Sequence, residues 1–335
     1  MMQTFIQNIL RFFILPFAIS IAFFIPYYTA DPYMDFGDNH LCSLKYSFQT
    51  LGDVSTKKLM VSDEAYNSFI MGSSRTTGLY ACYLNTQIPN ANFFHYGQFY
   101  ESIRGIYGKL RLLDSLGYSI DNVVLYFDTD CTFLGERYTS RTNHYLVSGK
   151  PRFNYLASHF ITYYRNPSLD KVNILLGKKA SSEIYLNWQS DVTTNDANHI
   201  CSDSMVILGY SDIMKNAEYK HRIDSLATNG FFEQRSKFQQ RIVDAQISEA
   251  EMHVLEKIKK LFKKHGSNYF VVLTPLYDQI KFNLEDEILL QEIFGSRVFD
   301  FSGINPFTND VYNYPDKKHF QPYISKIIAD SILGE

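Results

Sequence analysis

Residues 123–127 read Val-Val-Leu-Tyr-Phe, a run that offers almost no polar side chain to water. A strand of this kind has to be covered on both faces, which is the situation of parallel strands sandwiched between helices. Further apolar runs occur at residues 66–71, 92–95, 269–273 and 298–301. The segments between them carry a helical period. Residues 98–116 repeat apolar side chains at Ile103, Ile106, Leu110 and Leu113 and stop at Gly117. Residues 248–264 do so at Met252, Leu255, Ile258 and Leu261. Further helices are expected over 75–85, 284–294 and 320–333, the first weakly because of Thr76, Thr77 and Gly78. Five strands alternating with helices predict an α/β fold with a doubly wound, mainly parallel, flavodoxin-like sheet.

The N-terminus adds a different element. Residues 12–30 form 19 consecutive uncharged positions, mostly Phe, Ile, Leu and Ala. As a helix they would extend roughly 28 Å, about the thickness of a bilayer core. Arg11 precedes the run, and Asp31, Asp35 and Asp38 follow it. The positive-inside rule then puts the N-terminus in the cytoplasm and the rest outside, as a membrane-anchored, extracytoplasmic domain. A cleaved signal peptide with Ser20-Ile21-Ala22 at its end is the alternative. Residues 31–64 read as a connector and 65–335 as the α/β domain. Residues 132–245 lose the rhythm; they hold Arg141, His144, His159 and Trp188 and read as an inserted cap or substrate-binding lobe. The net charge of -3, with acidic and basic residues intermixed, gives no stripe for a nucleic acid.

Four cysteines, Cys42, Cys82, Cys131 and Cys201, are too irregularly spaced for a zinc site. An exported domain permits one or two disulfides, although Cys82 and Cys131 equally suit buried core thiols. No cluster of His, Asp and Glu calls for a metal, and no cofactor is expected.

Two short motifs carry chemistry. Gly72-Ser73-Ser74-Arg75 follows the first apolar strand, and Asp316-Lys317-Lys318-His319 precedes the last helix. A serine hydroxyl is a poor nucleophile without a base. His319 can supply the base, and Asp316, three residues earlier, can fix its tautomer. In an open parallel sheet both motifs fall beyond the carboxyl ends of strands, where sites form. Gly97, after the second strand, and Asp128 and Asp130, after the third, join them there. Each piece also has a purely structural use: Ser73, Ser74 and Asp316 as helix caps, Gly97 as a turn, and His319 as a surface residue. Order and position together favour a triad.

These motifs resemble those of the SGNH (GDSL-like) hydrolase superfamily across residues 66–135 and 248–333. The resemblance makes Ser74 the nucleophile, with Ser73 at the family's Asp position. It gives Asp316 and His319 as the other triad members, and Gly97 with the Ser74 N–H as oxyanion donors. The anchor and the insertion look like the cell-envelope branch, which includes D-alanyl transfer and polysaccharide O-acetylation proteins. The family's third-block Asn is missing, because Asp128-Thr129-Asp130 stands there. A carboxylate at that point opposes a developing oxyanion; Arg75 or a residue of the insertion would have to compensate. Arg141 and His144 are candidate substrate contacts. The resemblance implies an esterase or O-acyltransferase working through acyl-Ser74 on an acylated envelope or secreted glycan, with a membrane-bound acyltransferase as a further partner. The alternative is a catalytically inactive relative that binds glycan or scaffolds that acyltransferase.

Overall fold

The computed structural model describes residues 2–30, 35–36, 51–134, 143–165, 191, 193–196, 209–231 and 239–334. They divide into two compact units, Met1–Gln49 with Pro151–Gln189, and Thr50–Lys150 with Ser190–Glu335. In chain order the strands are β1 (Ser68–Met71), β2 (Phe93–His95), β3 (Asn122–Phe127), β4 (Arg241–Ile242), β5 (Asn268–Leu273), β6 (Ile280–Lys281) and β7 (Val298–Asp300). The main helices of the larger unit are α2 (Leu51–Val61), α3 (Ala81–Gln87), α4 (Ile103–Ser115), α5 (Tyr145–Ser148), α7 (Tyr210–Lys215), α8 (Ala217–Thr228), α9 (Glu249–His265), α10 (Leu284–Phe294), α11 (Pro306–Asn309) and α12 (Pro322–Leu333). The smaller unit holds α1 (Met2–Ala30) and α6 (Arg152–Arg165).

The main sheet has the order β2-β1-β3-β5-β7, and every pairing in it is parallel. Counting only these five strands, the order is 2-1-3-4-5, with a topological switch point between β1 and β3. Alternation along β3 divides its side chains between two cores, as pleating requires. Val123, Leu125 and Phe127 pack with Leu59 of α2, Ile106 and Leu110 of α4, Ile258 and Phe262 of α9 and Leu290 of α10. Val124 and Tyr126 pack with Leu84 of α3 and Ile324, Ile328 and Ile332 of α12. This explains the unbroken apolar run: neither face of the strand meets water. Leu125 is fully buried, so Leu125→Ala should lower stability by about 3 kcal/mol in denaturant unfolding.

Local signals set the helix ends. Ser102 caps α4 by accepting from Gly105 N–H at 3.2 Å, and Ser248 caps α9 by accepting from Glu251 N–H at 3.4 Å. A left-handed Gly266 closes α9. Residues 51–61, read in the sequence as connector, instead form α2 and bury Leu59 in the first core. Their pattern is short and half polar, so packing rather than periodicity makes the helix. Helices α5, α6, α7 and α8 lie within residues 132–245, the stretch read as irregular. The two-residue pairing of β4 with β6 is too short to leave a sequence signal.

In the smaller unit, Tyr27 is buried against Phe160 and Tyr163, with ring centroids 5.3 and 5.5 Å away. Its hydroxyl donates to Asp35 at 2.9 Å, and Asp35 also meets His159 Nδ1 at 2.9 Å. Helix α1 takes in the whole apolar run, and Phe12, Phe13, Ile14 and Phe17 are exposed on it. No helix among the described residues is long and apolar enough to cross a membrane; the side chains described in α1 are those of residues 12–14 and 16–28.

Candidate active site

The chain leaves β1 through Gly72 at φ +151°, where an added Cβ would lie 2.8 Å from the Tyr126 carbonyl oxygen. That close approach needs glycine. Ser73 follows in extended conformation and caps a single 3₁₀ turn, Ser74–Gly78. Its hydroxyl accepts from Arg75 N–H at 3.2 Å, and its carbonyl accepts from Thr76 Oγ1 at 2.8 Å. The two serines are thereby separated by role. Ser73 is buried and spent on the cap, whereas Ser74 is half-buried with its hydroxyl turned to the other motif.

That motif is the loop before α12. His319 Nε2 lies 2.9 Å from Ser74 Oγ, and His319 Nδ1 lies 2.9 Å from Asp316 Oδ2. The Asp316 carboxylate also accepts the backbone N–H of Lys318 at 2.6 Å and of His319 at 2.9 Å. Burial acts to raise the Asp316 carboxyl, but the hydrogen bond and charge of His319 and the two N–H groups outweigh it. The carboxyl is held below its ordinary range and stays ionised as the partner of Nδ1. A serine, histidine and aspartate so linked form a relay that can remove the serine proton and stabilise the imidazolium.

An attacked carbonyl also needs donors for its oxygen. Among the described residues, the backbone N–H groups of Ser74 and Gly97 donate to no acceptor. The two turns touch. Gln98 N–H donates to the Gly72 carbonyl at 3.0 Å, and a Cβ on Gly97 would fall 2.5 Å from Thr76 Oγ1. Only glycine lets the chain after β2 come this close to the nucleophile turn.

Arg75, expected as an oxyanion donor, has most of its donors committed elsewhere. Nη1 and Nη2 form a two-pronged pair with Asp130 at 2.7 and 2.8 Å, Nη1 lies 3.2 Å from Asp128, and Nε donates to the Lys318 carbonyl at 2.9 Å. Lys318 Nζ adds a second cation to Asp130 at 2.9 Å. Burial works against charge on the Arg75 guanidinium, yet the facing carboxylates raise its pKa. Burial likewise pushes Asp130 up, but Arg75 and then Lys318 hold it far below the usual carboxylate range. Asp128 also accepts from Thr274 Oγ1. Asp128 and Asp130 are thus matched by two cations, Arg75 and Lys318. Ligand atoms of Asp128, Asp130 and Cys131 lie within 4.8 Å of one another, and the cation they face is the Arg75 guanidinium. Cys131 is a buried free thiol, pushed well up by burial. Cys82 is disulfide-bonded, which decides between its two expected roles. Cys42 and Cys201 lie outside the described residues.

Beneath the nucleophile turn is a polar network that the motifs did not reveal. His95 Nε2 meets Thr76 Oγ1 at 2.9 Å. Burial and the charge of Lys109 push the His95 imidazole down to about 3, so it supports Thr76 as a neutral ring. Asp196 accepts from Ala81 N–H at 2.8 Å and Cys82 N–H at 3.2 Å, and burial raises its carboxyl to about 7. It caps α3 from 115 residues away, a distance no local pattern records. His144 is buried and caps α5, its Nδ1 accepting from Leu146 N–H at 3.4 Å. Arg141 and Trp188 lie outside the described residues.

Compared with protein-family models and with curated protein sequences, the chain finds no match.

Proposed function

We propose that the chain is a serine esterase or O-acyltransferase of SGNH type, working through an acyl-Ser74 intermediate. The observation that carries this is the unbroken hydrogen-bonded series from Ser74 Oγ through His319 to Asp316, with two N–H donors left over. Ser74 Oγ attacks an ester carbonyl while His319 Nε2 takes its proton. The negative oxygen is met by the N–H groups of Ser74 and Gly97. Collapse expels the alcohol, which takes the proton back from Nε2, and leaves the acyl group on Ser74. Water, or a sugar hydroxyl, then gives its proton to His319 Nε2 and attacks the acyl carbon; collapse frees Ser74 Oγ, which takes that proton back from Nε2. The first acceptor makes an esterase and the second a transferase.

The proposed setting is the cell envelope. An uncharged run of 19 residues in α1, with exposed Phe12, Phe13 and Phe17, supports a membrane anchor that leaves the α/β domain outside. The disulfide at Cys82 supports an oxidising compartment. An acylated glycan as substrate, and a membrane acyltransferase as donor, rest on likeness to the envelope branch.

The full chain in detergent should hydrolyse p-nitrophenyl acetate. Ser74→Ala should remove the activity. Ser73→Ala should keep most of it while lowering stability by about 1 kcal/mol through the lost cap. Equal rates in intact chain and Ser74→Ala would refute the proposal.

A further inference from the structure

The helix face of α4 that packs beneath the sheet is apolar at Ile103, Ile106, Leu110 and Leu113, except for Lys109. Lys109 is fully buried among them. Taking an ammonium out of water is costly unless its partners are well placed, so the partners matter. They are the Glu101 carboxylate, the face of the Tyr96 ring at 4.7 Å, and the backbone carbonyl of Tyr96, to which Nζ donates at 2.8 Å.

The carbonyl is the informative partner. The Tyr96 C=O and the Gly97 N–H are the two ends of one planar amide, and they point in opposite directions. A cation fixed on the oxygen sets the plane of that amide. It also draws electron density from the nitrogen, which makes the N–H a stronger donor. Gly97 N–H is the group that donates to nothing among the described residues and lies beside the nucleophile turn. Glu101 holds Nζ from the other side, and Gln98 N–H on the Gly72 carbonyl holds the next residue.

We propose that Lys109 is a positioning residue for the oxyanion site, acting through the Tyr96–Gly97 peptide to aim and polarise the Gly97 N–H. The inference rests on Gly97 serving as an oxyanion donor in the reaction above. Lys109 touches no substrate. Burial lowers its pKa while the Glu101 carboxylate works to raise it, and no covalent step involves it.

The test compares the full-length chain with Glu101→Leu/Lys109→Met, which removes both buried charges and preserves the apolar volume. The expected result is a folded protein whose kcat on p-nitrophenyl acetate falls about tenfold while KM stays within about twofold. Affinity for a boronic acid, whose adduct on Ser74 mimics the tetrahedral oxyanion, should fall by the same factor. A folded variant with unchanged kcat and boronate affinity overturns the inference. If the double variant does not fold, Glu101→Gln and Lys109→Gln are compared. Loss of kcat confined to Lys109→Gln supports the inference. Equal loss in both variants, or no loss in either, overturns it. Failure of the reaction itself is distinguishable, because it would appear in the unaltered chain as activity that is absent or independent of Ser74.

Discussion

The His319→Ala variant is expected to hydrolyse p-nitrophenyl acetate on the order of 10⁵-fold more slowly than the unaltered chain. The reason is chemical rather than structural. His319 is partly exposed at the sheet edge, with a third of its side chain in solvent, so its removal leaves no cavity in either core. What is lost is the base 2.9 Å from Ser74 Oγ. Asp316→Asn should cost less, about 10⁴-fold, because the imidazole remains but its tautomer is no longer fixed. The acid limb should reflect the same pair. The Asp316 carboxyl is depressed in the folded state, so its interaction is complete above the ordinary carboxylate range and is lost as pH falls through the lowered value. Unchanged melting temperatures alongside these rate losses would separate chemistry from folding. A His319→Ala rate within tenfold of the unaltered chain would contradict the assignment of the base.

Arg75→Met should lower stability by about 3–5 kcal/mol, the cost of leaving a buried carboxylate without its partner. Asp128 has no exposed side-chain surface, and Arg75 is its cationic partner at 3.2 Å. Asp130 would keep Lys318, an exposed and weaker substitute. The same change cuts the link from Arg75 Nε to the Lys318 carbonyl. That link ties the His319 loop across the switch point to the nucleophile turn, so turnover should fall as well. Arg75→Lys should recover little, since an ammonium cannot make the forked pair with Asp130. Denaturant unfolding of the three proteins measures the first effect. A loss below about 1 kcal/mol in Arg75→Met would contradict the buried pairing of Arg75 with Asp128.

Much of this fold is legible because parallel strands leave an apolar imprint. The run at 123–127 and the spacing of Leu255 and Ile258 predict β3 and α9 within a residue or two. The mainly parallel sheet follows from the alternation of such runs with helices, whereas the strand order comes from the structure. Helix α2 is not legible, since its contribution to the core rests largely on Leu59. Ser74, His319 and Asp316 are found because their spacing is tied to strand ends. The use of Arg75 is harder. Its forked pairing with Asp130 spans 55 residues, and the one clue is complementary charge at the ends of adjacent strands. Asp128 and Asp130 look hostile to an oxyanion in the sequence; in the fold both face Arg75. Asp196, Lys109 and His95 leave no motif, because burial rather than spacing gives them their roles.

The measurement that bears most directly on the central claim is covalent labelling of the full-length chain by a fluorophosphonate, followed by peptide mapping. Such a probe reacts with a serine only when a base activates it and donors receive the phosphoryl oxygen. The expected result is one label on the peptide containing Ser74, absent in Ser74→Ala and strongly slowed in His319→Ala. An unlabelled chain, or a label that persists in Ser74→Ala, would contradict the account.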